Sequence, residues 1–297
     1  MKQYLPRIAV VAAALAAAGA VALIALARGP VAAFSVNGDE WSRDEVHRVV
    51  DSLVKAGQIT AANGKVTGDD IAAVMSVLVQ YSAGRQLLAE RGVTLPQDAL
   101  TTARQQYGAA FTDPFVAGVF ADMSVTGKVI TSLPAPQDMK SIYEDRPALT
   151  GVLCAVDVTL PSESAARAVL GEIDAGGDVL AIAREKSVNK DLEATDGVLA
   201  LSADTPCAGL SWVKDKVSAP VLEELIATGA GKRSSVVRDA AGWHVLANRP
   251  WSEVSGAHAA VFSKDPGRNL AVGFTATADV TVASEYGTWD RASQTIK

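Results

Sequence analysis

Cysteine is nearly absent from this chain: 297 residues hold two, Cys154 and Cys207, with no CxxC and no histidine cluster beside either. Zinc fingers, zinc ribbons and thioredoxin-like dithiols need thiols a few residues apart, so all three are excluded. Aromatic residues are also scarce, at 5% against 49% hydrophobic. The apolar mass is therefore mostly Ala, Val and Leu, which favours helix-rich packing. Positive charge is in deficit. The formal net charge is −6, and three of the 27 bases (Lys2, Arg7 and Arg28) stand in an N-terminal stretch without acids, so the remainder is more acidic still. With no basic stripe, such a surface repels phosphate backbones, and nucleic acid is not an expected partner. No nucleophile elbow and no spaced set of metal ligands occurs, so neither hydrolase chemistry nor a metal or cofactor is expected.

What the sequence does have begins with an uncharged run, IAVVAAALAAAGAVALIALA, over residues 8–27. A helix of that length spans about 30 Å of hydrocarbon. Lys2 and Arg7 ahead of it favour a cytoplasmic N-terminus with the rest of the chain outside. Two readings stand side by side: an uncleaved anchor, which the length of the run favours, and a secretory signal over residues 1–33 cut after Val31-Ala32-Ala33. No cysteine follows the run, so no lipid is attached there. In an oxidising compartment the two cysteines are expected to form a disulfide worth roughly 4 kcal/mol in the chain-entropy model. The alternative is two small buried thiols that never meet.

Residues 34–145 read as a helical module. A short extended start meets an Asn37-Gly38 turn, and a helix follows with Ser42 as N-cap and Glu45 as its capping-box partner. Ile71, Val74, Val77, Leu78, Tyr81, Leu87 and Leu88 recur at helical spacing over about 70–90. Further helices are expected over 97–107 and 114–130, before the prolines of TSLPAPQD interrupt the pattern. From Leu149 the period changes to that of a strand, LTGVLCAVDVTL. Over 146–251 the order reads β, α, α, β, α, β, β, with the last two strands joined by a turn at 240–242. That order suits an α+β domain with helices on one side of a small mixed sheet. Residues 252–297 read as a tail: a loop over 253–265, then one more strand in ATADVTVASEYGTWDRAS. His47 and His258 are expected at the surface, and Tyr286, Trp289 and Asp290 as packing and turn residues.

Several of these segments together resemble a known family. LCAVDV, then GGDVLAIAREKS with Gly176, Val179, Ile182, Ala183 and Ser187, then DGVLA at 196–200, VSAPVLEELIATGAG, and the closing strand Gly242-Trp243-His244-Val245-Leu246 are similar in order to a parvulin-type peptidyl-prolyl isomerase domain. With the apolar leader, the Val-Asn-Gly start and VLVQYSAGRQLLAERGVTLPQDAL, the whole chain resembles the extracytoplasmic foldases of the SurA and PrsA kind. The resemblance implies an α+β fold with an N-terminal membrane helix, a SurA-like helical chaperone module and a parvulin-like domain. It further implies a site of two stacked histidines, an apolar floor and a nearby Cys or Asp. Carried over by position, His244 keeps the second histidine, Cys154 falls on or beside the first, and Asp157 follows on the same strand. Val217 and Val221 stand where the floor residues belong, with Leu199 and Trp243 as further pocket residues.

Three functions follow from this reading. One is a membrane-tethered or secreted foldase that binds unfolded, proline-containing exported polypeptides, with prolyl isomerisation as an added capacity. A second is a competent parvulin-type isomerase, and a third a non-catalytic subunit of an envelope assembly. If Cys154 is bridged, the disulfide is expected where substrate would sit.

Overall fold

The computed structural model describes residues 31–61, 65–189, 192, 195–200, 202 and 205–297; the apolar run over 8–27 lies outside them. Among the described residues no helix is long and apolar enough to cross a membrane.

The described residues open with a hairpin of β1 (Ala32–Val36) and β2 (Asp39–Ser42). Asn37 and Gly38 turn it with φ of 48° and 89°, the left-handed pair that an Asn-Gly hairpin turn requires. Helix α1 (Arg43–Lys55) starts at the expected capping box: Ser42 Oγ accepts from the Glu45 N–H, and the Glu45 carboxylate accepts from the Ser42 N–H. Helices α2 (Gly68–Glu90), α3 (Gln97–Ala110), α4 (Pro114–Thr131) and α5 (Met139–Asp145) follow. Asp113 caps α4 by accepting from the Phe115 and Val116 N–H groups, and Arg48 of α1 holds its carboxylate at 2.9 and 2.7 Å. Phe34, Val46, Val49, Met75, Leu78 and Val116 are buried between these elements, with Trp41 stacked on Phe34 at 5.8 Å.

After a 3-10 turn at Pro147–Thr150 come β3 (Val152–Leu153), β4 (Ala155–Leu160), α6 (Glu163–Asp174) and α7 (Val179–Lys186). Then β5 (Ala208–Gly209) pairs with β3, and the short α8 (Leu210–Val213) leads to α9 (Ala219–Ala227), β6 (Arg233–Arg238) and β7 (Trp243–Asn248). The main sheet has the order β4-β7-β6. It differs from the expected mixed sheet: β7 inserts between β4 and β6 and runs antiparallel to both, so every named pair is antiparallel. The helices also cover both faces instead of one. Val156, Val158 and Val245 pack with Ala166, Val169 and Ile182 of α6 and α7, whereas Ala155 and Leu246 pack with Leu222 and Leu225 of α9. A strand's period of two explains the division.

The C-terminal segment departs most from expectation. The supposed loop over 253–265 falls in helix α10 (Trp251–Phe262), followed by α11 (Pro266–Thr277). Strand β8 (Val280–Val282) is present, yet it does not end a tail. It pairs with β1, Phe34 opposite Val282, and thereby joins the first sheet of the chain. A last ribbon of β9 (Trp289–Asp290) and β10 (Thr295–Ile296) packs its buried Ile296 into the same core. Alternating apolar residues look alike in a free strand and in one that returns to pair; the partner of Val282 is Phe34, at the other side of the sequence and invisible to local pattern. His258 is likewise not at the surface: it is fully buried on α10, among Tyr143, Trp251 and Phe262. His47 is exposed, as expected.

Candidate functional site

The β4–β7 pairing places Thr159 opposite His244 and Asp157 opposite Leu246. Because alternate residues share a face, Asp157, Thr159 and His244 all point to the α9 side of the sheet. His244 Nδ1 lies 2.9 and 3.1 Å from the two carboxylate oxygens of Asp157. Its other ring nitrogen, Nε2, lies 2.9 Å from Asp239 Oδ1. Asp239 is itself held by the turn it opens, accepting from the N–H groups of Ala241 and Gly242 at 2.7 and 3.2 Å. Gly242 has φ of 148°, and a Cβ there would come within 2.7 Å of the Leu160 carbonyl, so only glycine lets the turn close against β4.

A carboxylate accepts and does not donate, so two of them on one imidazole require both ring nitrogens to carry protons. The geometry therefore suits a His244 ring that donates from both nitrogens, one to each carboxyl group. The side chains of His244, Asp157 and Asp239 are only 4%, 2% and 13% exposed, so the clamp is shielded from water. Burial by itself would pull the His244 pKa down. The hydrogen bonds and charges of Asp157 and then Asp239 outweigh it and hold the pKa above the usual histidine value. Burial pushes Asp239 up, and the His244 ring and the Ala241 N–H, both within hydrogen-bond distance, help bring it below the usual carboxylate range.

Beside this clamp is a cavity of about 520 Å³, within the range of ligand pockets. Val217, Val221, Leu199 and Trp212 give it apolar walls, and Asp157, Asp239 and His244 line its charged end. The sequence places Val217, Val221, Leu199, Asp157 and His244 at the site, and the structure brings all five to one cavity. Three expectations need correction. Trp243 is next to His244 in sequence and so on the opposite face of β7, where it packs with the α6–α7 core and lies under Arg238, whose guanidinium is 5.2 Å from the ring centroid. Cys154 is buried, bonded to Cys207, and lines no part of the cavity. A disulfide sulfur carries no transferable proton, so Cys154 supplies no acid or base; the side chain of that strand that meets the His244 ring with a carboxylate is Asp157, three positions on. The bridge accordingly does not block the cavity either. Asp157 is buried, at 1% exposed.

Asp239, Trp212, Ser218 and Lys216 belong to the cavity and were not anticipated. Asp239 was legible in principle, since an Asp opening Asp-Ala-Ala-Gly is a side-chain-capped turn. Trp212 gives no signal: it stands on a helix of four residues. Among the described residues, no cluster of His, Cys, Asp and Glu has the arrangement of a metal site.

No family model matches the chain, and no curated protein matches it. Among solved structures it is similar to the peptidylprolyl isomerase PrsA from Bacillus anthracis, at 16% identity over 66% of this chain and 94% of that one, with a TM-score of 0.27. PrsA from Bacillus subtilis is 14% identical over 80% of this chain and 87% of the other, with a TM-score of 0.29. The foldase protein PrsA from Streptococcus pneumoniae is 12% identical over 83% and 91%, with a TM-score of 0.28.

Proposed function

We propose that this chain is an extracytoplasmic foldase whose cavity beside His244 takes a prolyl residue of an exported polypeptide and eases rotation about the bond before it. The observation that carries the reading is the cavity: about 520 Å³, apolar on Val217, Val221, Leu199 and Trp212, closed at one end by a fixed charged clamp. Rotation about a peptide bond faces a barrier of about 18–20 kcal/mol because the planar form gains resonance. That resonance separates charge and is favoured by water, so an amide held against apolar walls is easier to twist. No bond breaks, and no nucleophile or metal is called for. The role of His244, Asp157 and Asp239 is to keep a rigid floor: each donor is already matched to an acceptor, so the turning amide meets no polar group that must reorganise.

Tethering is part of the same proposal. The uncharged run over 8–27 is long enough to span a bilayer. Cleavage after Ala33 would leave a charged amino group on Phe34, which is 1% exposed inside the first sheet, and would remove the carbonyl of Ala33 to which the Ala283 N–H donates. Burying an unpaired charge is costly, so the retained anchor is favoured. The buried Cys154–Cys207 bridge fits an oxidising compartment outside the cytoplasm.

A second reading, binding without catalysis, is favoured by one observation: both His244 nitrogens are engaged within the protein, leaving no ring donor for the substrate. A proline-peptide isomerisation assay separates the two. Acceleration by the wild type that is lost in Val217→Trp, which fills the cavity and leaves the clamp intact, supports the isomerase. Absence of acceleration together with suppressed aggregation of a denatured client supports the binder.

A further inference from the structure

Lys216 stands at the rim of the cavity, exposed, between the Trp212 and Val217 walls. Its Nζ lies 5.6 Å from the centroid of the Trp212 ring. That placement packs the lysine stem along the indole and holds the charge near its face, so less side-chain freedom is lost when a ligand arrives. No described residue forms an ion pair with it. The other charges lining the cavity are already spoken for: the imidazolium of His244 sits between Asp157 and Asp239, and all three side chains are largely buried. The mouth of the cavity therefore carries one exposed ammonium at a defined place, while the buried clamp, two carboxylates on one imidazole ring, holds its own hydrogen bonds internally.

We propose that Lys216 is a specificity-determining residue, selecting polypeptide segments in which the residue flanking the anchored proline carries a carboxylate. The inference rests on the prolyl-peptide reading above. A ligand whose ring fills the apolar part must leave by the rim, where its neighbouring side chain meets the ammonium. An acid there gains an opposite charge without displacing an existing partner, and a base meets a like charge. Such a rim-exposed pair is modest in strength: a preference on the order of two- to fivefold for acid over neutral amide is expected. It weakens as ionic strength rises and the screening length shortens.

The test uses the full chain in uncharged detergent micelles and three labelled peptides that differ only in the residue before proline: Glu, Gln or Lys. Affinities are read by fluorescence anisotropy. The wild type is expected to bind in the order Glu, Gln, Lys, with Glu ahead of Gln by about two- to fivefold at low salt. Lys216→Ala is expected to bring Glu and Gln together, and Lys216→Glu to reverse the order, at unchanged melting temperature. Equal affinities for Glu and Gln in the wild type, or a ratio that survives in Lys216→Ala, overturn the assignment while leaving the prolyl-peptide site standing. Failure of all three peptides to bind the wild type overturns both.

Discussion

His244 and His258 start from the same unperturbed pKa of 6.5 and move apart. His258 has no charged partner. Its Nε2 donates to Thr150 Oγ1 at 2.9 Å, its Nδ1 is buried without a partner, and burial lowers its pKa to about 4. A histidine kept neutral by the fold stabilises the protein fully above its unfolded pKa, and that contribution is lost as pH falls from 6.5 to about 4. The shift corresponds to roughly 3 kcal/mol. His244 is the converse case, held as imidazolium by Asp157 and Asp239. Its contribution is complete below 6.5 and is lost as pH rises through its raised folded value. Thermal melts across pH are thus expected to show greatest stability near 6.5, with the acid limb flattened in His258→Gln and the alkaline limb flattened in His244→Gln. An acid limb unchanged in His258→Gln would refute the assignment. Neither histidine announced this in sequence. His258 sits in WSEVSGAHAAVF, a weakly patterned stretch whose burial comes from the aromatic rings of Tyr143, Trp251 and Phe262, one of them over 100 residues away.

At the scale of elements, helix α11 shows how the C-terminal segment is locked in place. Gly273 lies so close to the 3-10 turn at Pro147–Thr150 that a Cβ would collide with the Ala148 and Leu149 carbonyls. Backbone cannot give as a flexible side chain can, so Gly273→Ala is expected to cost about 1–3 kcal/mol through overpacking, in spite of alanine's better helix propensity. Urea denaturation checks this; a stabilised Gly273→Ala would contradict the close approach. The elements most legible in sequence were those with strong local punctuation: the Asn37-Gly38 hairpin, the Ser42–Glu45 capping box, and the helix α6 that stops before Gly176. Those least legible depend on distant partners. The chain between β4 and β6 reads like a crossover to a neighbouring parallel strand, and only the insertion of β7 between them makes the sheet antiparallel. Trp243 was misplaced for a related reason: proximity in sequence to His244 suggests a shared site, but strand alternation forbids it.

At the scale of the whole molecule, the first described strand meets the C-terminal segment. β8 pairs with β1, and one continuous core holds Phe34, Met75 and Leu78 together with Phe262, Leu270 and Ile296. The sheet domain that carries the cavity is thus inserted into a helical module assembled from both ends of the chain. Tyr143 donates to the Arg249 carbonyl at 2.9 Å where the two parts join. The Cys154–Cys207 bridge lies in that shared core and not at the cavity, tying the segment that enters β5 to the strand that opens the sheet domain. The resemblance in sequence named five residues that the fold brings to one cavity because it rested on the order of several motifs, and it misplaced Cys154, where a strand position was judged by adjacency instead of by facing. The measurement that bears most directly on the account is methyl NMR of the full chain titrated with a proline-containing peptide. Shifts concentrated at Val217, Val221 and Leu199, with Val77 and Val119 of the helical module unmoved, are the predicted result. Shifts confined to the helical module, with the cavity methyls unmoved, would contradict the claim that the space beside His244 receives the prolyl residue.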